Sequence, residues 1–313
     1  MEVKANGIFS DVIQKRLVIV TGKGGVGKTT ASTAFALAAA RKNLSVLLAE
    51  IRAPRRIPPL FGVSADKDGP LRLGPGITWM NLTPDKALET YAMKLLRFRS
   101  VYRAVFEQRM VRRFLKAIPS LAEILMLGHL THILESEQYD LAIVDAPSSG
   151  SGAQMLAAPR EVTTTVSSGP LHDGARWINA LLTDPSRCMI NLVVLPEELP
   201  VTEAIELHHH LRDDLGLPLG LILANRILED PFDPATRQIA DSAESEEAGH
   251  PLIVASSLYR SRLKLQELYL DRLRAGVDLP TMLLPEVIRP PERASVARVL
   301  ADGMFVQSEA TRN

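Results

Sequence analysis

Leu17-Val18-Ile19-Val20-Thr21-Gly22-Lys23-Gly24-Gly25-Val26-Gly27-Lys28-Thr29-Thr30 decides the fold of this chain. Four apolar, β-favouring residues run into a glycine-rich turn. Lys28–Arg41 follows, dense in alanine and leucine, and reads as a buried helix. Gly22 to Thr29 satisfies G-x-x-x-x-G-K-[ST] between a strand and a helix. Glycines let backbone N–H groups turn inward around phosphate oxygens, where a Cβ would block the approach. The helix starting near Lys28 aims the positive end of its dipole at the same anion. Lys28 can reach β- and γ-phosphates, and the Thr29 hydroxyl can ligate Mg²⁺. Gly22, Gly24, Gly25, Val26, Gly27, Lys28, Thr29 and Thr30 are therefore expected to bind ATP or ADP with Mg²⁺.

Working outward, Ser45–Ala49 is a second apolar run, so strand, helix and strand form a βαβ unit and a parallel sheet. Pro54, Pro58 and Pro59 predict a loop-rich stretch over 52–76. Ile77–Leu82, Leu141–Val144, Met189–Val194, Leu219–Ala224 and Leu279–Leu284 read as further strands. Helices are expected over Lys86–Ile118, Leu121–Glu137, Val201–Leu215, Tyr259–Arg274 and Arg293–Leu300, and residues 230–250 read as an exposed helix and loop. The pattern predicts an α/β fold with a doubly wound, mainly parallel sheet. The expected organisation is a single domain over 1–313 with a helical insertion at about 86–137.

Composition sets the limits. The 313 residues are 46% hydrophobic and 23% charged, as in an ordinary folded chain. Lys+Arg and Asp+Glu both number 36, so no global field draws the chain to nucleic acid or an anionic membrane. One cysteine, Cys188, excludes an internal disulfide or Cys-x-x-Cys clamp and reads as a small, partly buried apolar residue. Without a signal-peptide pattern or a long apolar run, the expected compartment is the cytoplasm. His208-His209-His210 would point three ways on a helix, which favours a solvated face over a metal site. Lys94, Arg97, Arg99, Arg103, Arg109, Arg112 and Arg113 form a basic face, read as solvated or as a contact for an acidic partner or second subunit.

Asp145 closes the run Leu141-Ala142-Ile143-Val144, and a carboxylate at that strand tip can hold Mg²⁺ through water. Asn225, after Leu223-Ala224, reads equally as a turn residue or as an amide that donates and accepts in one plane to a base.

Gly22-Lys23-Gly24-Gly25-Val26-Gly27-Lys28-Thr29-Thr30 resembles the deviant Walker A loop of the class that includes ArsA, the tail-anchored-protein targeting ATPase, ParA and MinD. The resemblance implies that Lys23 crosses a dimer interface to the partner's nucleotide. Asp145-Ala146-Pro147-Ser148-Ser149-Gly150 resembles the second switch of the ArsA-like branch, which implies Asp145 as a magnesium-site and catalytic residue beside Lys23 and Lys28. Pro196-Glu197-Glu198-Leu199 with Thr202-Glu203 is similar to that branch's Pro-Glu-x-Leu…Thr-Glu segment, and Ala224-Asn225-Arg226 to its Val-Asn-Arg, implying that Asn225 reads adenine. Leu279–Pro285 sits where the branch has its adenine loop, which adds Pro285 to the nucleotide site. Pro119-Ser120-Leu121-Ala122-Glu123 resembles a Pro-Gly-x-x-Glu motif, with Ser120 in place of glycine.

Two departures shape the expected function. Arg52 occupies the place where the branch has a first-switch aspartate, and arginine cannot accept a proton. Glu50, two residues earlier, is the candidate substitute; otherwise hydrolysis is slow or a partner subunit supplies the group. Neither a cysteine pair for arsenite nor a Met-rich client groove is visible, since Met93, Met110, Met126 and Met155 read as core. The expected activity is that of an ATP-binding, ATP-hydrolysing protein that forms a homodimer, or a heterodimer with a related ATPase, and acts on a protein client or scaffold. The alternatives are a ParA- or MinD-like positioning ATPase and a catalytically weak subunit.

Overall fold

The computed structural model describes residues 5–66, 69–96, 120–230, 251–288 and 295–309. Its centre is an eight-stranded sheet. In chain order the strands are β1 (Leu17–Thr21), β2 (Val46–Ile51), β3 (Leu71–Gly74), β4 (Ile77–Leu82), β5 (Leu141–Asp145), β6 (Cys188–Val194), β7 (Leu219–Ile227) and β8 (Thr281–Pro285). They lie in the order β3-β4-β2-β5-β1-β6-β7-β8, parallel throughout except for β3, which runs antiparallel to β4 at one edge. Inner strands such as LVIVT, VLLAEI and LAIVD are buried along their whole length, as parallel strands covered on both faces must be.

Helices cover both faces: α1 (Ala5–Ile13), α2 (Lys28–Arg41), α3 (Ile57–Leu60), α4 (Pro84–Leu96), α5 (Leu121–Glu135), α6 (Ser149–Thr165), α7 (Pro170–Leu182), α8 (Glu198–His209), α9 (Pro251–Gly276) and α10 (Val296–Glu309). On one face Val18, Val20, Leu48 and Ile143 pack with α1, α2 and α10; on the other Ile19, Leu47, Ala49 and Val144 pack with α5 to α8. The alanines of α2 bring its backbone close to the sheet, and Phe35 stacks on Phe9 with ring centroids 6.0 Å apart.

The doubly wound parallel sheet expected from the sequence is present, and α2 spans Lys28–Arg41 as anticipated. The stretch 52–76 is more regular than its prolines suggest. Pro58 and Pro59 sit in the first turn of α3, where a missing N–H costs nothing, and Leu71–Gly74 makes the edge strand. Helices α1, α6 and α7 were not foreseen. Gly150, Gly152 and Pro159 mark α6 as broken by local rules, yet Met155, Leu156, Ala158 and Val162 bury one face and hold it helical. Val201–Leu215 ends in a π-helical turn at His210–Asp214. Of the proposed insertion, α4 packs on α5. The basic face over 94–113, apart from the backbone of residues 94–96, lies outside the described residues, as do Met110 and the segment 231–250.

One buried carboxylate organises the segment that leaves β2. Glu50 is fully buried, and it accepts hydrogen bonds from Trp79 Nε1 (2.7 Å), Arg56 N (2.8 Å) and Ile57 N (3.3 Å). These donors tie β4 and the start of α3 to the tip of β2. Trp79→Phe keeps one aromatic ring but removes a donor from the buried Glu50 carboxylate and leaves the space of the second indole ring unfilled, so it should cost about 2–4 kcal/mol of stability. Urea unfolding at constant m-value would read that loss directly.

Candidate functional site

The C-terminal ends of β1, β2 and β5 open into a cleft of about 520 Å³, the crevice that a parallel α/β sheet presents at its carboxyl edge. Gly24, Gly25, Gly27, Lys28, Thr29 and Asp145 line it, together with Arg52 and Arg56 from the chain leaving β2. Gly25 and Gly27 have φ of +86° and +98°, a region that L side chains rarely adopt. Cβ atoms built on Gly24 and Gly25 would meet no protein atom, whereas one on Gly22 would collide with the Val193 carbonyl and one on Gly27 with the Asn225 amide. The loop is thus tight against β6 and β7 behind and bare toward the cleft. Val26 is buried in the core, and Thr30 lies in the first turn of α2.

Lys28 Nζ donates to the carbonyls of Gly22 (3.0 Å) and Lys23 (2.8 Å). Burial draws its pKa below the usual lysine value, and the nearby Asp145 charge partly offsets this. Thr29 Oγ1 donates to Asp145 Oδ2 at 2.6 Å. Asp145 Oδ1 is buried and has no partner. Burial above all raises the Asp145 pKa from 3.8 to about 6, against the lowering effect of the Thr29 hydrogen bond. A hydroxyl beside a carboxylate with an orphaned oxygen is a hard-oxygen pair that suits Mg²⁺, and the bare glycine turn suits phosphate.

The remaining sequence candidates stand around this centre. Lys23 Nζ pairs with Glu203 Oε1 of α8 (2.5 Å), and Ser149 Oγ approaches the other oxygen at 3.5 Å. Asn225 Nδ2 donates to Val26 O (2.8 Å), so this amide joins β7 to the back of the loop. Pro285 is exposed at the tip of β8, one strand beyond Asn225, and does not line the cleft.

The chain after β2 departs from expectation. Glu50 cannot stand in for a first-switch carboxylate, because its oxygens are taken by Trp79, Arg56 and Ile57 below the cleft. Arg52, at φ +50°, pairs with Glu123 of α5 at 2.8 Å. Glu123 follows Ser120, whose φ of +58° is a backbone state that glycine adopts at less cost. His208 is fully buried with neither ring nitrogen partnered, which corrects the solvated reading of the triple histidine; His209 is exposed and His210 half-buried, and they face Asp213 and Asp214. Met126 and Met155 are core residues, and Cys188 is buried with its thiol pushed up to about 12. Sequence reasoning passed over Arg56 and the pairing role of Glu203; three arginines within 52–56, just past a strand tip, were the available signal.

The raised pKa of Asp145 carries a stability cost with a definite sign. Its folded value lies above the unfolded one, so burial favours the protonated form, and the protein loses stability as pH rises from about 4 through 6. Two units correspond to about 3 kcal/mol at neutral pH. Asp145→Asn should therefore stabilise the nucleotide-free protein at pH 7 by up to about 3 kcal/mol, with the gain shrinking toward pH 4. Urea titrations at the two pH values test this.

Comparison with known proteins agrees with the geometry. Residues 15–168, from the start of β1 through α6, match the anion-transporting ATPase family. The ATPase BagA of Mycobacterium tuberculosis is 29% identical over 301 residues, covering 91% of this chain and 83% of that protein. An arsenical pump-driving ATPase of Escherichia coli is 25% identical over 226 residues, covering 72% of this chain and 37% of its own length. The stretch shared with the family carries both the phosphate loop and the Asp145 strand tip that faces it. Over residues 15–168 the chain is thus similar to the anion-transporting ATPase family, and its named relatives support a likeness to the ArsA-like branch of the P-loop ATPases.

Proposed function

We infer that the protein binds Mg·ATP in this cleft, hydrolyses it, and dimerises around the nucleotide to bind or move a protein partner. The observation that carries the reading is the 2.6 Å contact between Thr29 and Asp145, with the second carboxylate oxygen orphaned beside the bare glycine turn. The amides of Gly22–Thr30 wrap the phosphates. Lys28 leaves the Gly22 and Lys23 carbonyls for the β- and γ-phosphates. Thr29 and Asp145 hold Mg²⁺ directly or through water, and the bound ion neutralises phosphate charge. Asn225 keeps its bond to Val26 and offers its carbonyl oxygen to the adenine amino group, with Pro285 beyond it. Lys23 exchanges Glu203 for the partner's phosphates as the dimer closes.

A protein partner fits better than an arsenical. The chain's one cysteine is buried with its thiol held protonated, so no thiolate pair is available within a subunit. No helix among the described residues is long and apolar enough to cross a membrane.

A second reading, a catalytically weak subunit within a heterodimer, draws on Arg52. Asp145 is the one carboxylate lining the cleft among the described residues, and Arg52 stands ion-paired where the branch has an aspartate. Phosphate release by the purified chain separates the two, since turnover in isolation removes the second.

Lys28→Ala should abolish nucleotide binding, and undiminished binding would discard the main reading. Lys23→Ala should leave binding within a few-fold while eliminating the ATP-dependent rise in mass seen by light scattering. A mass that responds to ATP equally in both proteins would refute the role given to Lys23.

A further inference from the structure

Three arginines leave β2 together, and the structure sends them in different directions. Arg52 pairs with Glu123 on α5. Arg55 turns back to the Ala65 carbonyl (3.0 Å). Arg56 lines the cleft with Lys28, Thr29 and Asp145, and its guanidinium has no hydrogen bond or ion pair among the described residues. Burial dominates the shifts of Lys28 and Asp145, and the Arg56 charge adds a smaller lowering influence on each.

This exposed side chain stands on a fixed base. Arg56 N donates to Glu50 Oε1, and Ile57 N and Trp79 Nε1 donate to Oε2 of the same fully buried carboxylate. The backbone at Arg56 is therefore anchored into the sheet, and the guanidinium is delivered to one end of the cleft.

Sheet order says which end. Asn225 on β7 braces the loop from one side, and the open cleft runs the other way, from β1 past β5 to the chain leaving β2. A nucleotide with its base toward β7 directs its last phosphate toward β2. A planar guanidinium matches phosphate oxygens with paired N–H donors, so an unpartnered one at this point is placed for a terminal phosphoryl group.

We propose that Arg56 binds the γ-phosphate of the nucleotide held by the Gly22–Thr30 loop and makes the site select triphosphate over diphosphate. The assignment rests on the nucleotide reading of the cleft and adds to it a residue that distinguishes the two charge states of the ligand. Supplied by the same chain, it needs no partner subunit to act.

Calorimetric titration of the full chain with Mg²⁺ and either ADP or a non-hydrolysable ATP analogue tests the assignment. Arg56→Ala retains the backbone N–H that Glu50 holds, so the fold should persist. It should weaken analogue binding about 10-fold or more and leave ADP within about twofold. Arg56→Lys should recover part of the preference, because the charge remains without the fork. Arg55→Ala removes one positive charge from the same segment and should leave the preference intact. Equal losses for both nucleotides, no loss for either, or the same change in Arg55→Ala would overturn the role of Arg56 while Lys28→Ala still abolished binding. A wild-type chain that binds neither nucleotide would overturn the nucleotide reading and this assignment together.

Discussion

A carboxylate held out of water at the tip of β5, touching the first turn of α2, is the constraint around which the site is built. Parallel pairing sets Asp145 opposite Val20 on β1, immediately before the chain turns into the glycine loop. The loop returns as α2, and Thr29 meets Asp145 at 2.6 Å. One contact therefore links strand, loop and helix. It satisfies a single carboxylate oxygen, leaves the other buried and bare, and raises the acid to about 6. Such a group destabilises the protein at neutral pH and is relieved by a cation. Strain of this kind belongs to a binding site more than to a scaffold.

The next strand supplies the contrast. Glu50 on β2 is in register with Asp145 and is equally a buried acid, yet its carboxylate receives three donors. Two carboxylates at the same level of one sheet thus take opposite roles. Glu50 is satisfied and holds the chain after β2, while Asp145 is unsatisfied and faces the cleft. Their proximity also couples them, because Glu50 is among the charges that raise the Asp145 pKa. The switch-like segment that departs from β2 is anchored from beneath by Glu50 and tied at Arg52 to α5 through Glu123. Helix α5 packs against α4, so the cleft has a physical connection to both helices.

Much of this was legible in the sequence because it is local. The phosphate loop is contiguous, its glycines answer to backbone conformation and close approach, and the apolar runs beside it can be little other than buried parallel strands. Asp145 was readable for the same reason: an acid ending such a run must sit at the sheet's carboxyl edge. Resemblance to the ArsA-like branch extended the reading to Lys23 and Asn225, but not to their present partners. Glu203 is 180 positions from Lys23, and Val26 is 199 from Asn225.

Misreadings fell where distant residues overrule local preference. Residues Ser149–Thr165 carry glycines and a proline, yet the face packed beneath α5 and α7 keeps them helical. His208 looked like one of three solvated imidazoles, yet the turn of α8 carries it alone into the interior.

By itself, then, the sequence determined the doubly wound sheet, the glycine-rich turn between β1 and α2 and the acid that faces it, since each follows from residues adjacent in the chain. Tertiary structure alone decided that Glu50 is structural, that Arg52 is engaged, and that Arg56 is the arginine left facing the cleft. Which charge is neutralised and which stays available depends on what the fold brings alongside it, and those neighbours come from far along the chain.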